Sequence, residues 1–219
     1  MHYTVSCFLS LISDRMSLFY IWYDSMITSR QAMERLLRGN ARYVRDDLEH
    51  PNRTSERREA MVSKQSPYAV ILGCADSRVS PEIIFDEGIG DLFVVRVAGN
   101  VLGPLELESI KYAVLYLGSS MILVMGHENC RAVDAVIHNT KDEIETVAAH
   151  IEPSVNKARL ASPQDLLAAS IKENACLMRD RLSASPVIAK LVYENRIEVH
   201  AAYYNLQTGA VDILPREPS

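Results

Sequence analysis

The stretch Tyr68-Ala69-Val70-Ile71-Leu72-Gly73 is an apolar run that leads directly into Cys74. A second apolar run, Met121-Ile122-Leu123-Val124-Met125-Gly126, leads into His127. Neither run alternates strictly between apolar and polar residues, which is typical of strands covered on both faces in a parallel sheet. The two runs therefore predict buried strands that each deliver a polar residue to a loop at the carboxyl end.

Helical and strand patterns alternate along the chain around these two runs. Thr28 and Gln31 form a capping-box pattern that predicts a helix start. Ser80-Pro81-Glu82 predicts a second helix start, and Gly103–Gly118 predicts a helix that begins at a proline and ends at a glycine. Between these helices, the run Leu92–Val97 predicts another strand.

The C-terminal third continues the same alternation. Ser162-Pro163 and Ser185-Pro186 predict helix starts, and the segments Ile197–Ala201 and Ala210–Leu214 predict two further strands around a turn. The expected fold class is α/β, with a mainly parallel central sheet flanked by helices and an additional C-terminal strand at the sheet edge. Ligands of such sheets gather at the carboxyl ends of the strands.

Length and composition restrict the class of protein. The chain has 219 residues, 48% hydrophobic and 23% charged, with a formal net charge of −5, which gives no reason to expect nucleic acid or an anionic membrane as a partner. Residues 28–219 are expected to form one domain. Residues 1–27 are expected to be an extension, irregular or helical, that packs on the body or on a partner subunit. Without a signal-peptide or membrane-spanning pattern, the expected location is the cytoplasm.

Two thiols and one imidazole lie at the predicted strand ends, on Cys74, His127 and Cys130. These ligand types suit a tetrahedral zinc ion, and three protein ligands leave a fourth position for water, as in catalytic rather than structural sites. Either motif alone is weak evidence, since a cysteine is often a buried packing residue and a His-x-x-Cys pair arises by chance. Their occurrence at two strand ends of one sheet favours one zinc ion per subunit in a reducing compartment.

Asp76 and Arg78 follow the first cysteine in a Cys-x-Asp-x-Arg pattern. A carboxylate at this distance from a ligand can bind the metal or accept a hydrogen bond from metal-bound water. A neighbouring guanidinium can hold that carboxylate through two hydrogen bonds and keep it ionised. The alternative is a simple surface ion pair of little energetic value.

Several blocks of this sequence resemble those of the β-class carbonic anhydrases, in order and in spacing. The blocks are Glu34–Leu36 with Gly39–Tyr43, Cys74–Val79, Gly90–Asn100, Ser109–Val114 and Gly126–Cys130. The resemblance covers most of the chain from about Gln31 to Leu214. It implies a zinc lyase that hydrates carbon dioxide reversibly to bicarbonate and a proton, through zinc-bound hydroxide oriented by Asp76 and Arg78.

The resemblance also implies roles for residues outside the ligand set. In this family the residue that matches Asp76 can replace hydroxide as a fourth zinc ligand in an inactive, closed form. The residue matching Gln65 hydrogen-bonds the substrate, and those matching Phe93 and Tyr112 line an apolar carbon dioxide pocket across a dimer interface. The expected assembly is a homodimer or a dimer of dimers. For the two aromatic residues without the resemblance, core packing would be the simpler interpretation.

The sequence departs from the family pattern at two positions. Arg131 stands where the family usually has glycine, and it could either stabilise the thiolates or intrude on the site. Ile71 stands where allosteric members have a tryptophan that helps to form a bicarbonate pocket, so an open, non-allosteric site is expected. Two alternatives stay open: a zinc hydrolase for another small linear electrophile such as carbon disulfide, and a non-catalytic protein that binds zinc or an anion.

Overall fold

The chain folds around a five-stranded sheet with the strand order β2-β1-β3-β4-β5. The computed structural model describes residues 27–140 and 142–216. The first four strands are parallel, and β5 pairs antiparallel with β4 at one edge. The strands are β1 (Ala69–Gly73), β2 (Leu92–Arg96), β3 (Met121–His127), β4 (Glu198–Tyr204) and β5 (Val211–Leu214). The predicted α/β class with a C-terminal edge strand is confirmed.

The two central strands are buried on both faces, as their continuous apolar runs predict. Every residue of β1 and β3 is buried. Successive side chains of a strand point to opposite faces of the sheet, so each of these strands contributes to two separate cores, one on each face. Val70 and Ile122 pack in the core on one face, and Ile71 and Leu123 pack in the core on the other.

Helices cover the two faces of the sheet. They are α1 (Ser29–Val44), α2 (Ser55–Ala60), α3 (Pro81–Ile84), α4 (Pro104–Tyr112), α5 (Arg131–Ile137), α6 (Glu145–Leu160), α7 (Leu166–Ser183) and α8 (Pro186–Tyr193). The capping box at Thr28 and Gln31 is present, which confirms the predicted start of α1. A π-helical turn over Ala113–Leu117 extends α4 to Gly118, whose φ of 81° ends the helix as predicted.

The C-terminal helices differ in part from the prediction. The helix expected after Ser162-Pro163 begins at Leu166, because the side chain of Asp165 accepts a hydrogen bond from the Ala168 backbone N–H and so caps it. Helix α6, which contains Pro153, was not predicted from the sequence. The predicted start of α8 at Pro186 is confirmed.

The predicted extension over residues 1–27 lies outside the described residues except for Ile27. Among the helices that the structure describes, none is long and apolar enough to cross a membrane.

The strand order places a topological switch point between β1 and β3. From β1 the chain moves to β2 on one side and then returns to β3 on the other side of β1. In the register of the sheet, Gly73 at the end of β1 lies beside Met125 of β3. Cys74, which follows Gly73, is therefore brought level with the last residues of β3 and close to His127. Ligand sites of open α/β sheets occur at such switch points.

Candidate metal centre

Three potential metal ligands converge where β1 and β3 end. The donor atoms of Cys74, His127 and Cys130 all lie within 4.8 Å of one another, and all three residues are buried. Cys74 follows β1, His127 is the last residue of β3, and Cys130 immediately precedes α5. The two strand ends that the sequence analysis paired are thus neighbours in space.

Backbone hydrogen bonding orients the imidazole of His127. Its Nδ1 lies 2.9 Å from the carbonyl oxygen of Glu128. Since a carbonyl only accepts hydrogen bonds, Nδ1 carries the proton and Nε2 is left with a free lone pair. Nε2 is buried and has no hydrogen-bond partner in the described chain. A buried acceptor without a partner is unfavourable unless it binds something, which fits a metal ligand.

A hydrogen bond between the thiols of Cys74 and Cys130 makes their proton affinities unequal. A hydrogen bond from Cys130, stronger than the opposing effect of burial, lowers the pKa of Cys74 to about 4. Donation to Cys74, together with burial, raises the pKa of Cys130 far above that of an ordinary thiol. The pair therefore titrates as a unit that gives up one proton readily and retains the second. A divalent cation between the sulfurs would displace that second proton, since metal-bound thiols are deprotonated.

This donor set fits zinc. Tetrahedral zinc with bonds of about 2.0 to 2.3 Å holds its ligand atoms roughly 3.4 to 3.8 Å apart. The donor atoms here lie within 4.8 Å of one another, so any closure needed to bind the ion is at most about 1 Å. Two sulfurs and one nitrogen are typical of zinc and leave one coordination position open. Cys74, His127 and Cys130 are thus the residues that could hold the ion.

Asp76 stands beside this cluster and is held by Arg78. Its Oδ1 accepts hydrogen bonds from the backbone N–H of Arg78 at 3.0 Å and from the guanidinium Nε at 2.9 Å. Its Oδ2 accepts from Nη2 at 2.7 Å and lies 3.9 Å from Nε2 of His127. These bonds hold the pKa of Asp76 well below its usual value, so the carboxylate is ionised at neutral pH.

Arg96, the last residue of β2, was not predicted from the sequence as a site residue. Its guanidinium donates from Nε to the carbonyl oxygen of Cys74 at 2.9 Å and from Nη2 to that of Asp76 at 2.5 Å. Arg96 therefore ties the segment Cys74–Asp76 to the neighbouring strand. Arg96 lies in the block Gly90–Asn100 that matches the family pattern, and this match is the signal that could have drawn attention to it.

A second missed contact comes from Gly99, in the turn that follows β2. Its backbone N–H donates a hydrogen bond to Sγ of Cys74 at 3.3 Å. Hydrogen bonds to a ligating sulfur reduce its negative charge and fix its position. Gly99 also lies in the family-like block, but a backbone contact of this kind cannot be read from residue types.

The predicted substrate residues lie outside this cluster. Gln65 is exposed in the loop before β1, and within the described part of the chain its side chain makes no hydrogen bond to the metal centre. The rings of Phe93 and Tyr112 have centroids 6.5 Å apart, and Tyr112 is 48% exposed. Arg131, whose effect the sequence left open, is the exposed first residue of α5.

The order of these elements and the Cys-His-Cys centre can be compared with known proteins. Residues 69–211 match the sequence model of the family described as Carbonic anhydrase. Carbonic anhydrase 2 of Mycobacterium tuberculosis is 35% identical over 187 residues, which cover 81% of this chain and 89% of the relative. The chain belongs to the β-class carbonic anhydrase family. The resemblance noted in the sequence is therefore confirmed.

Solved β-class carbonic anhydrases share the fold. The Coccomyxa β-carbonic anhydrase in complex with acetazolamide is 27% identical, with a TM-score of 0.62 over 71% of this chain and 75% of that chain. A structure from a study of two tetrameric β-carbonic anhydrases of Sordaria macrospora is 22% identical, with a TM-score of 0.63 over 74% of this chain and 87% of that chain. At this lower identity, the Sordaria likeness supports the fold alone.

Proposed function

We propose that this chain catalyses the reversible hydration of carbon dioxide to bicarbonate and a proton, with zinc held by Cys74, His127 and Cys130. The observation that carries the proposal is the convergence of these three buried donors beside a carboxylate fixed by Arg78. Membership of the carbonic anhydrase family supports the same reaction. When bound, zinc would supply Lewis acidity that brings the pKa of a water molecule from 15.7 towards about 7.

The role of Asp76 follows from its hydrogen bonds. Oδ1 already accepts two N–H groups of Arg78, whereas Oδ2 accepts one. Oδ2 therefore keeps a free lone pair, and it is the oxygen that lies 3.9 Å from Nε2 of His127. We assign to Oδ2 the hydrogen bond from the attacking water or hydroxide. Because an ionised carboxylate only accepts, it fixes the direction of that O–H and turns an oxygen lone pair towards the substrate.

Arg78 and Arg96 would keep this carboxylate in place from two directions. Arg78 holds the side-chain oxygens of Asp76, and Arg96 holds its backbone carbonyl. A fixed acceptor does not have to reorganise during the reaction, which is how preorganised polar groups lower a barrier. The Asp76–Arg78 pair is thus proposed as an orienting pair rather than a surface ion pair.

The proposed substrate pocket involves Gln65, Phe93 and Tyr112. Carbon dioxide is small and apolar, so aromatic walls suit it, and the amide of Gln65 would donate to the oxygen that gains charge. Tyr112, Tyr116 and Leu105 are 48%, 69% and 75% exposed. The Tyr112 ring packs beside Phe93 of the edge strand β2 and beside Tyr116. Strand β2 pairs only with β1 among the described strands.

We propose that a second copy of the chain covers this apolar edge and completes the pocket. An exposed apolar patch next to an unpaired strand edge is typical of a subunit interface. A homodimer is therefore the smallest assembly expected to be active, and residues 28–219 are proposed to form the single domain of each subunit.

Stopped-flow carbon dioxide hydration on the zinc-loaded protein tests this function. Turnover above the buffer rate, lost on chelation and restored by zinc, is the expected result. The same preparation should be offered carbon disulfide. Hydrolysis of carbon disulfide without carbon dioxide hydration would favour the alternative electrophile. Tight zinc binding without either activity would favour a non-catalytic protein.

A further inference from the structure

A chain of buried contacts connects the metal centre to α7, a helix that contributes no metal ligand. The side-chain Nδ2 of Asn174 donates a hydrogen bond to the carbonyl oxygen of Gly99 at 2.8 Å. The backbone N–H of Gly99 in turn donates to Sγ of Cys74 at 3.3 Å. Gly99 therefore accepts a hydrogen bond from Asn174 through its carbonyl and donates one to the potential ligand sulfur through its N–H.

Gly99 is confined in a conformation that few residues adopt. Its φ is 67°, in the left-handed region, and a Cβ atom built on it would lie 2.7 Å from Cδ1 of Ile151 and 3.4 Å from Cβ of Ala132. The turn is thus packed between α5 and α6 while Asn174 fixes it from α7. The direction of the Gly99 N–H depends on all three helices.

Asn174 is poorly explained as a packing residue. It is fully buried, yet its Oδ1 has no hydrogen-bond partner among the described residues. An unpaired buried acceptor lowers the stability of a fold, and an apolar side chain of similar shape would avoid that cost. The role of the amide is therefore carried by its N–H group, which donates a hydrogen bond to the carbonyl oxygen of Gly99.

We propose that Asn174 is a positioning residue for the metal centre, which sets the Gly99 N–H that hydrogen-bonds the Cys74 sulfur. This inference rests on the proposed function and extends it to a residue 100 positions from the ligand in sequence. The N–H group withdraws charge from the thiolate and restrains its position. Groups that hydrogen-bond a metal ligand affect metal affinity although they do not touch the metal.

The test compares Asn174→Leu with Ser170→Ala. Leucine has the same branching and the same number of heavy atoms as asparagine, and it cannot donate to Gly99. Ser170 is the matched control, because it lies one turn away on α7, is fully buried and also has an unpartnered oxygen. Asn174→Ala is a second variant, which carries the test if leucine prevents folding. Circular dichroism and thermal melting establish that each variant is folded.

The readouts are zinc affinity and the spectrum of the Co²⁺-substituted protein. Zinc affinity, measured by competition with a chromophoric chelator, should fall about 10- to 100-fold in Asn174→Leu. The thiolate-to-Co²⁺ charge-transfer band should move to lower energy, because a sulfur without its N–H donor holds more charge. Ser170→Ala should match the wild type in both measurements.

The outcomes separate this inference from the proposed function. If the wild type binds zinc and hydrates carbon dioxide while folded Asn174 variants match Ser170→Ala in both readouts, the inference is wrong and the function stands. If the wild type binds no zinc, both are overturned. Weaker zinc binding and a shifted band in the Asn174 variants alone would support the positioning role.

Discussion

Replacement of Arg78 with alanine tests the proposed role of Asp76 most directly. The change removes the hydrogen bonds from Nε at 2.9 Å and from Nη2 at 2.7 Å, and it leaves the backbone N–H of residue 78 at 3.0 Å from Oδ1. Oδ1 would keep one donor, whereas Oδ2 would lose the guanidinium. The oxygen proposed to orient the attacking water is thus the one that is released.

The geometry indicates where the released oxygen would go. Oδ2 lies 3.9 Å from Nε2 of His127. In a tetrahedral zinc site, a nitrogen and an oxygen ligand are roughly 3.4 Å apart. The approach to His127 that ligation requires is therefore about 0.5 Å. A carboxylate without its arginine would become a fourth ligand and close the site, and it would no longer orient water.

We therefore expect Arg78→Ala to retain one zinc ion per chain and to lose about 100-fold in kcat, at the lower end of what a positioned proton acceptor contributes. Stopped-flow hydration assays and elemental analysis measure the two quantities. Arg30→Ala is a suitable control, because the Arg30 side chain is 85% exposed and makes a 3.8 Å ion pair with Glu34 away from the metal centre. A zinc-replete Arg78→Ala protein with wild-type kcat across neutral pH would refute the reasoning.

The double variant tests whether Arg78 acts through Asp76. Asp76→Asn should lose the orientation of water without providing a carboxylate that can bind zinc. If closure accounts for the defect of Arg78→Ala, adding that change to Asp76→Asn should cost little more, since the two residues act as one unit. Fully additive losses would instead mean that Arg78 acts independently of Asp76.

Three further predictions address the ligands, the assembly and the fold. Cys130→Ser should lose stoichiometric zinc and activity together, and full zinc occupancy in that variant would remove Cys130 from the ligand set. Light scattering should find a dimer as the smallest active species, and Tyr112→Arg should shift it towards inactive monomers; a fully active monomer would contradict the proposed interface. Gly39→Ala should cost about 3 kcal/mol or more, because its Cβ would lie 1.8 Å from the carbonyl oxygen of Phe85. Thermal melting should show a fall in Tm of roughly 6 to 12 °C.

The buried strands could be predicted because their signal is local. The apolar runs that became β1 and β3 have residues that must all leave water, so they suit only a sheet covered on both faces. The start of α1 could be predicted for the same reason, since its capping box involves residues that are three apart in the chain.

The helix α6 was missed although part of its signal was present. Ala148, Ile151, Val155 and Ala158 recur at helical spacing and are all buried. Pro153 stands in the middle of this pattern, and proline ordinarily ends or bends a helix. The helix packs against α7, and such tertiary packing supplies stability that local propensity does not.

The sequence by itself determined the chemistry available to this protein: two thiols, one imidazole and an Asp-Arg pair at the ends of buried strands. Its motifs also pointed to the family, because residue types and short spacings are local properties of the chain. Only the tertiary structure decided how these groups are held. The contacts from Arg96 to the Cys74 carbonyl and from Asn174 to the Gly99 carbonyl join separate elements through backbone atoms. Every residue carries a backbone carbonyl, so residue types do not reveal which one a side chain reaches; the packing of strands and helices decides that.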